Sequence, residues 1–153
     1  MSNTPIPREE FVAHYTQMQK LKELGVIFPF GHFMWVEKKR VGWQVHFPGI
    51  NTYDPKHMLP APTVFELLTA LPHFITVRKI KAGNVLTHEN YPDLFAAMSE
   101  DEKQKEKLGA CIAHHPAKAL ADMLITVLES KEIPVQEVNE RLNPADQSKK
   151  KKV

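Results

Sequence analysis

The chain has one cysteine, Cys111, in 153 residues. An internal disulfide is therefore excluded, and with it the stapled frameworks of small secreted domains. Glycine is scarce, 6 in all, and no glycine-rich phosphate loop, dinucleotide fingerprint or Gly-x-Ser-x-Gly elbow occurs. Neither Cys-x-x-Cys nor His-Glu-x-x-His is present, so the recognisable zinc spacings are missing. No apolar run approaches the ~20 residues that cross a bilayer. The opening Met-Ser-Asn-Thr-Pro lacks the basic start and apolar centre of a signal peptide. These absences set the first expectations: a cytoplasmic chain with no membrane attachment, no cofactor, no bound metal and no catalytic residue that can be named.

What is present describes an ordinary globular domain. The length suits one domain able to bury a real core, and a hydrophobic share of 42% argues against wholesale disorder. The formal charge of +2 misleads, because Lys149 to Lys152 are four consecutive lysines. Without them the rest of the chain is slightly negative. A basic domain would point to nucleic acid; a basic tail points first to a solvated end and second to a phosphate-binding arm.

Residues 60–72, Pro-Ala-Pro-Thr-Val-Phe-Glu-Leu-Leu-Thr-Ala-Leu-Pro, organise the reading. Thr63 and Glu66 have capping-box spacing, and Val64, Leu67, Leu68 and Leu71 form a helical stripe that Pro72 ends. The free N–H groups at Thr63 to Phe65 could alternatively meet an anion. Before this helix, residues 1–8 read as an arm. A first helix is predicted from Arg8 or Glu9 to Leu24, with Phe11, Tyr15, Met18 and Leu21 on its stripe and Gly25 as its stop. Phe33 to Glu37 and Trp43 to Phe47 read as a strand pair. A three-residue loop, at Lys38–Arg40 or at Arg40–Gly42, puts Phe33, Trp35, Trp43, Val45 and Phe47 on one face and Met34, Val36, Gln44 and His46 on the other. The tryptophan face is read as core; a base-stacking platform rimmed by Lys38, Lys39 and Arg40 is the alternative.

Pro48 to Leu59 reads as a loop. Phe74 to Ile80 reads as a third strand, returning through Lys81–Asn84 to a short strand at Val85 and Leu86. An exposed, charged helix is predicted to start near Ser99. Pro116 to Ser130 carries the strongest helical pattern, with proline at the first helical position. Pro134 starts a last helix with Val135, Val138 and Leu142 on one side, and Asn143-Pro144 breaks it into a flexible basic tail, residues 143–153. The predicted fold is a single α+β domain over residues 9–142, a small antiparallel sheet of three to four strands packed by helices.

Eight histidines invite a metal reading. Cys111 lies three and four positions before His114 and His115, which on a continuous helix would gather sulfur and imidazole on one face, or let a histidine activate the thiol. His32 and His46 come opposite each other if Trp35 pairs with Trp43, and two facing imidazoles could hold a metal or switch with pH. The competing reading is a buried cysteine beside a helix cap. His57, His73 and His88 have no local partner.

The order Leu21-Lys22-Glu23-Leu24-Gly25-Val26, Phe33-Met34-Trp35-Val36, Pro60-Ala61-Pro62-Thr63 with Glu66-Leu67-Leu68 and Leu71-Pro72, then Pro116 to Leu124 closing in Leu128-Glu129, resembles small uncharacterised proteins encoded by phages, prophages and other bacterial mobile elements. It spans roughly residues 18–133. The resemblance implies a compact α+β scaffold in a bacterial host cell and no activity. The charged stretch from Ser99 to Lys107 and the lysine tail depart from that plan. The expected role is a non-enzymatic protein that binds a host or phage protein, with an exposed apolar patch around Met34 and Val36 as its mark. The alternatives are a nucleic-acid binder using Lys149–Lys152 and a small metal- or cysteine-dependent enzyme. A free edge strand would also allow a homodimer.

Overall fold

The computed structural model describes residues 8–29, 33–46, 55–80 and 94–144. The architecture is α+β, as the sequence leads one to expect. The strands, however, divide between two three-stranded antiparallel sheets rather than sharing one. The first sheet has the order β2-β1-β3, built from β1 (Met34–Lys38), β2 (Gly42–His46) and β3 (Met58–Pro60). The second has the order β4-β5-β6, from β4 (Ile75–Ile80), β5 (Leu94–Ser99) and β6 (Cys111–Ala113). Among the described residues five α-helices pack with them: α1 (Tyr15–Glu23), α2 (Val64–Ala70), α3 (Glu102–Leu108), α4 (Pro116–Glu129) and α5 (Val135–Leu142). The proposed return strand at Val85 and Leu86, and the parts of the arm and tail at residues 1–7 and 145–153, lie outside the described residues.

The hairpin register settles between the two expected from sequence. Trp35 faces Val45, Glu37 faces Trp43 and Lys38 faces Gly42, so the loop is Lys39–Val41. Odd positions still pair with odd, and Trp35, Trp43 and Val45 share the core-facing side. Gly42 has φ +89°, a conformation that costs glycine little; a Cβ there would meet nothing, so conformation and not space explains it.

The tryptophan face is covered, not open. Trp35 is buried, Tyr15 meets it edge-on at 5.4 Å between ring centroids, and Tyr15 stacks on Trp43 at 5.6 Å. Trp35 is therefore closed to a stacking base and Trp43 carries Tyr15 in that position; Phe47 lies outside the described residues. The opposite face differs from expectation too: Met34 and Val36 are each 2% exposed, so among the described residues they form no exposed apolar patch.

The first helix is shorter than its pattern. Arg8–Phe11 is a 3-10 turn, and α1 begins only at Tyr15. Between them the chain is extended. Val12 forms an antiparallel bridge with Thr63, and the Ala13 N–H donates to the Pro62 carbonyl at 3.0 Å. The helix restarts through a capping box at His14: its backbone N–H donates to Gln17 Oε1 at 2.8 Å, and its Nδ1 accepts from the Thr16 N–H at 3.2 Å. At the far end Gly25, φ +97°, closes a Schellman turn in which Val26 N–H reaches the Leu21 carbonyl and Gly25 N–H the Lys22 carbonyl.

The buried centre of the molecule is α4. Eight of its residues are buried, among them Leu120, Met123, Leu124 and Val127, and it packs on α1, α2 and the second sheet. That sheet offers it Ile75, Val77, Phe95, Ala97, Cys111 and Ala113. Ala97 and Ala113 on the sheet and Ala117 and Ala121 on the helix belong to this one core, and side chains so small let helix and sheet approach closely. In α2 the return arm of the expected capping box forms, Glu66 accepting from the Thr63 N–H at 3.4 Å and from its hydroxyl at 3.2 Å. The charged helix α3 starts later than expected, capped by Asp101, because Ser99 belongs to β5.

Trp35 joins the first sheet to the extended segment. Its indole N–H donates to the Ala13 carbonyl at 2.8 Å, in a place where both residues are buried. Trp35→Phe keeps an aromatic ring and deletes that donor. It is expected to lower unfolding free energy by about 1–3 kcal/mol for the orphaned carbonyl alone, read as a fall in the urea midpoint at unchanged m-value.

Candidate interaction surface

The residues that the sequence offered for chemistry are placed apart. Cys111 is on β6, half-buried and packed against the core, with Sγ 3.6 Å from Thr126 Oγ1. His114 is exposed beyond the strand's end, and His115 is the N-cap residue of α4. A strand, a bend and a helix start replace the continuous helix that would have aligned them. Burial pushes the Cys111 thiol up, the Thr126 hydroxyl opposes this, and Asp122 adds to the rise. The thiol is thus held in its less nucleophilic form. His46 lies opposite Met34, so the register that would face it with His32 is not adopted; His32 lies outside the described residues. No group of three or more His, Cys, Asp or Glu able to hold a metal ion occurs among the described residues. His57 does find a partner, Glu37 Oε1 at 2.8 Å.

A different set of side chains stands out. Helix α2 turns Leu67 and Ala70 inward, toward α4 and α5. Phe65 and Leu68, three apart and therefore neighbours on the helix surface, are left 79% and 39% exposed. The Val12–Thr63 bridge sets Phe11, 51% exposed, beside the start of the same helix. Phe65 and Leu68 thus form an exposed apolar pair on α2, with Phe11 exposed on the turn that the bridge ties to this helix, and apolar side chains grouped in water mark a surface where a partner can dock.

The support beneath is polar and well tied. The half-buried Lys118 ammonium donates to the Glu9 carbonyl at 2.6 Å and to the Val12 carbonyl at 3.3 Å, holding the 3-10 turn that carries Phe11. Gln17 Nε2 donates to the Lys118 carbonyl at 2.9 Å and to Asp122 Oδ1 at 2.6 Å, locking α1 to α4. Burial lowers the Lys118 pKa, while Glu10 and Glu9 pull it back up. Burial also lowers His14 and His115, helped by the Lys118 charge and opposed by Glu9 and Glu10 respectively, with His114 adding to the fall at His115.

The sequence pattern missed this surface in part. Phe11 and Leu68 lie on apolar stripes, a pattern that predicts core. Phe65 carried the usable signal, since it sits off the stripe of Val64, Leu67, Leu68 and Leu71. No helix among the described residues is long and apolar enough to cross a membrane. No family model, curated protein or solved structure matches the chain.

The two depressed histidines fix a pH dependence. Their folded pKa values lie below the ordinary value, so the unfolded chain takes up protons first as pH falls. Their contribution is complete above about 6.5 and is lost below it, and a protonated His14 can no longer accept from Thr16. Melting temperature is expected to drop between pH 7.5 and 5, and to drop less in His14→Asn, which keeps a capping acceptor that does not titrate. Circular dichroism melts at both pH values measure this.

Proposed function

We propose that the chain is a non-enzymatic accessory protein, of the phage and prophage type, that binds a host or phage protein through Phe11, Phe65 and Leu68. The observation carrying this reading is the exposure of Phe65 and Leu68 on α2 and of Phe11 on the turn that Lys118 holds. Rigid aromatics bind at low entropic cost and are typical centres of binding energy at protein interfaces. The attribution to mobile elements rests on the order of sequence segments and on nothing in the fold. An enzymatic reading loses support from Cys111, whose thiol is held protonated and whose hydroxyl neighbour is no base.

Nucleic acid is the second reading. The end of β1 and the turn after it hold Lys38, Lys39 and Arg40, all exposed, and these would supplement Lys149–Lys152. The two readings separate in one capture experiment from native host lysate, split into nuclease-treated and untreated halves. The protein-binding reading expects a stoichiometric partner that survives nuclease and disappears with Phe65→Asp, a change at a solvent-facing position that leaves the fold intact. Capture indifferent to Phe65→Asp contradicts it. Recovery abolished by nuclease and by deletion of residues 149–152 establishes the second reading instead.

A further inference from the structure

An apolar cavity of about 340 Å³ lies between α1, the segment after it and β3, and none of its described lining residues belongs to the Phe65 surface. Its walls are Met18, Val26, Phe28, Met58, Leu59 and Pro60. Met18, Val26, Phe28 and Leu59 are buried side chains of the core, so this wall is built by the fold itself. Ile27, 64% exposed, stands at the mouth.

The segment carrying Val26 to Phe28 is fixed from α5. Asn139 receives the Ile27 N–H on Oδ1 at 2.8 Å and donates from Nδ2 to the Gly25 carbonyl at 3.0 Å. Asn143 Nδ2 donates to the Ile27 carbonyl at 3.0 Å. These amides satisfy the backbone as a neighbouring strand would. The segment therefore keeps its place beside the cavity without a further strand.

Among the described residues one charged side chain lines the space. Lys22 lies four residues after Met18, on the same face of α1. It is exposed and forms no ion pair among the described residues, whereas Lys20 on the next face is paired with Glu129 at 3.6 Å. An apolar pocket with the Lys22 ammonium at its edge is complementary to a molecule with an apolar body and a negative end. At about 30 Å³ for a water-sized group, the space holds roughly eleven of them. Met18 and Met58 are flexible enough to fit an irregular chain.

We infer that this cavity binds a single-chain amphiphile with an anionic head, such as a carboxylate of about ten to twelve carbons, with the chain between Met18, Phe28 and Leu59 and the head at Lys22. The inference goes beyond the protein-binding reading and uses none of its residues.

The test is calorimetric titration of the full chain with dodecanoate and, separately, dodecyltrimethylammonium, both below their micelle concentrations. Methyl spectra of Met18 and Met58 report the location. The expected result is saturable, one-to-one binding of dodecanoate at least tenfold tighter than of the cationic chain, with both methionine methyl signals shifting. Lys22→Glu, at an exposed site, should weaken dodecanoate at least tenfold and favour the cation. Met58→Trp should abolish binding of both by filling the space, with the circular dichroism spectrum unchanged. Absence of saturable binding, equal affinity for the two head groups, indifference to Lys22→Glu, or shifts elsewhere with Met18 and Met58 unmoved would each overturn the inference. So would selective binding of apolar peptides in its place.

Discussion

The hydrogen bond from the Trp35 indole to the Ala13 carbonyl is the joint on which this fold depends. Val12 and Ala13 are completely buried and not helical, so their backbone groups must find partners inside the protein. They find them on two sides. Pro62 and Thr63 pair with them from the strand-to-helix junction before α2, and Trp35 reaches them from the central strand of the first sheet. One short segment thus connects the hairpin sheet to the half of the molecule built around α4. Tyr15 and His14, which follow immediately, pack their rings on Trp35 and complete the seal.

Local signals in the sequence were enough for the elements whose stability is local. The stripe and proline of α4, the capping pair and Pro72 around α2, and the Val135, Val138 and Leu142 face of α5 all mark helices that form where the pattern places them. The parity of the hairpin followed from side-chain alternation alone. Long-range contacts decided the rest. β3 and β6 have three residues each, too few for a period to show. β5 reads Leu-Phe-Ala-Ala-Met-Ser, with no β-branched residue; it is a strand because it lies between β4 and β6. The N-terminal helix pattern is interrupted at Val12 and Ala13 because tertiary partners outweigh propensity there.

The same distinction governs the surfaces. Cysteine and histidine spacing suggested chemistry, but β6 and the start of α4 take Cys111 and His115 in different directions, one toward the core and one to a helix cap. Exposure of Phe11 depends on the Val12–Thr63 bridge, which no local pattern encodes. Phe65 alone was legible as a misfit on its helix. The apolar cavity combines α1, Val26 to Phe28 and β3, and is held open by asparagines more than a hundred residues away in sequence. Such a site exists only after folding.

The central claim is that the Trp35 bond is as persistent as the fold itself. The two tryptophans provide an internal comparison, since Trp43 is half-buried and its indole makes no hydrogen bond among the described residues. Hydrogen exchange of the two indole N–H signals, followed by nuclear magnetic resonance after transfer to heavy water, measures this directly. The account predicts that the Trp35 proton exchanges only through global unfolding, with the same opening free energy as the slowest amides of α4, while the Trp43 proton is lost early. Loss of both indole protons together, well before the α4 amides, would contradict it.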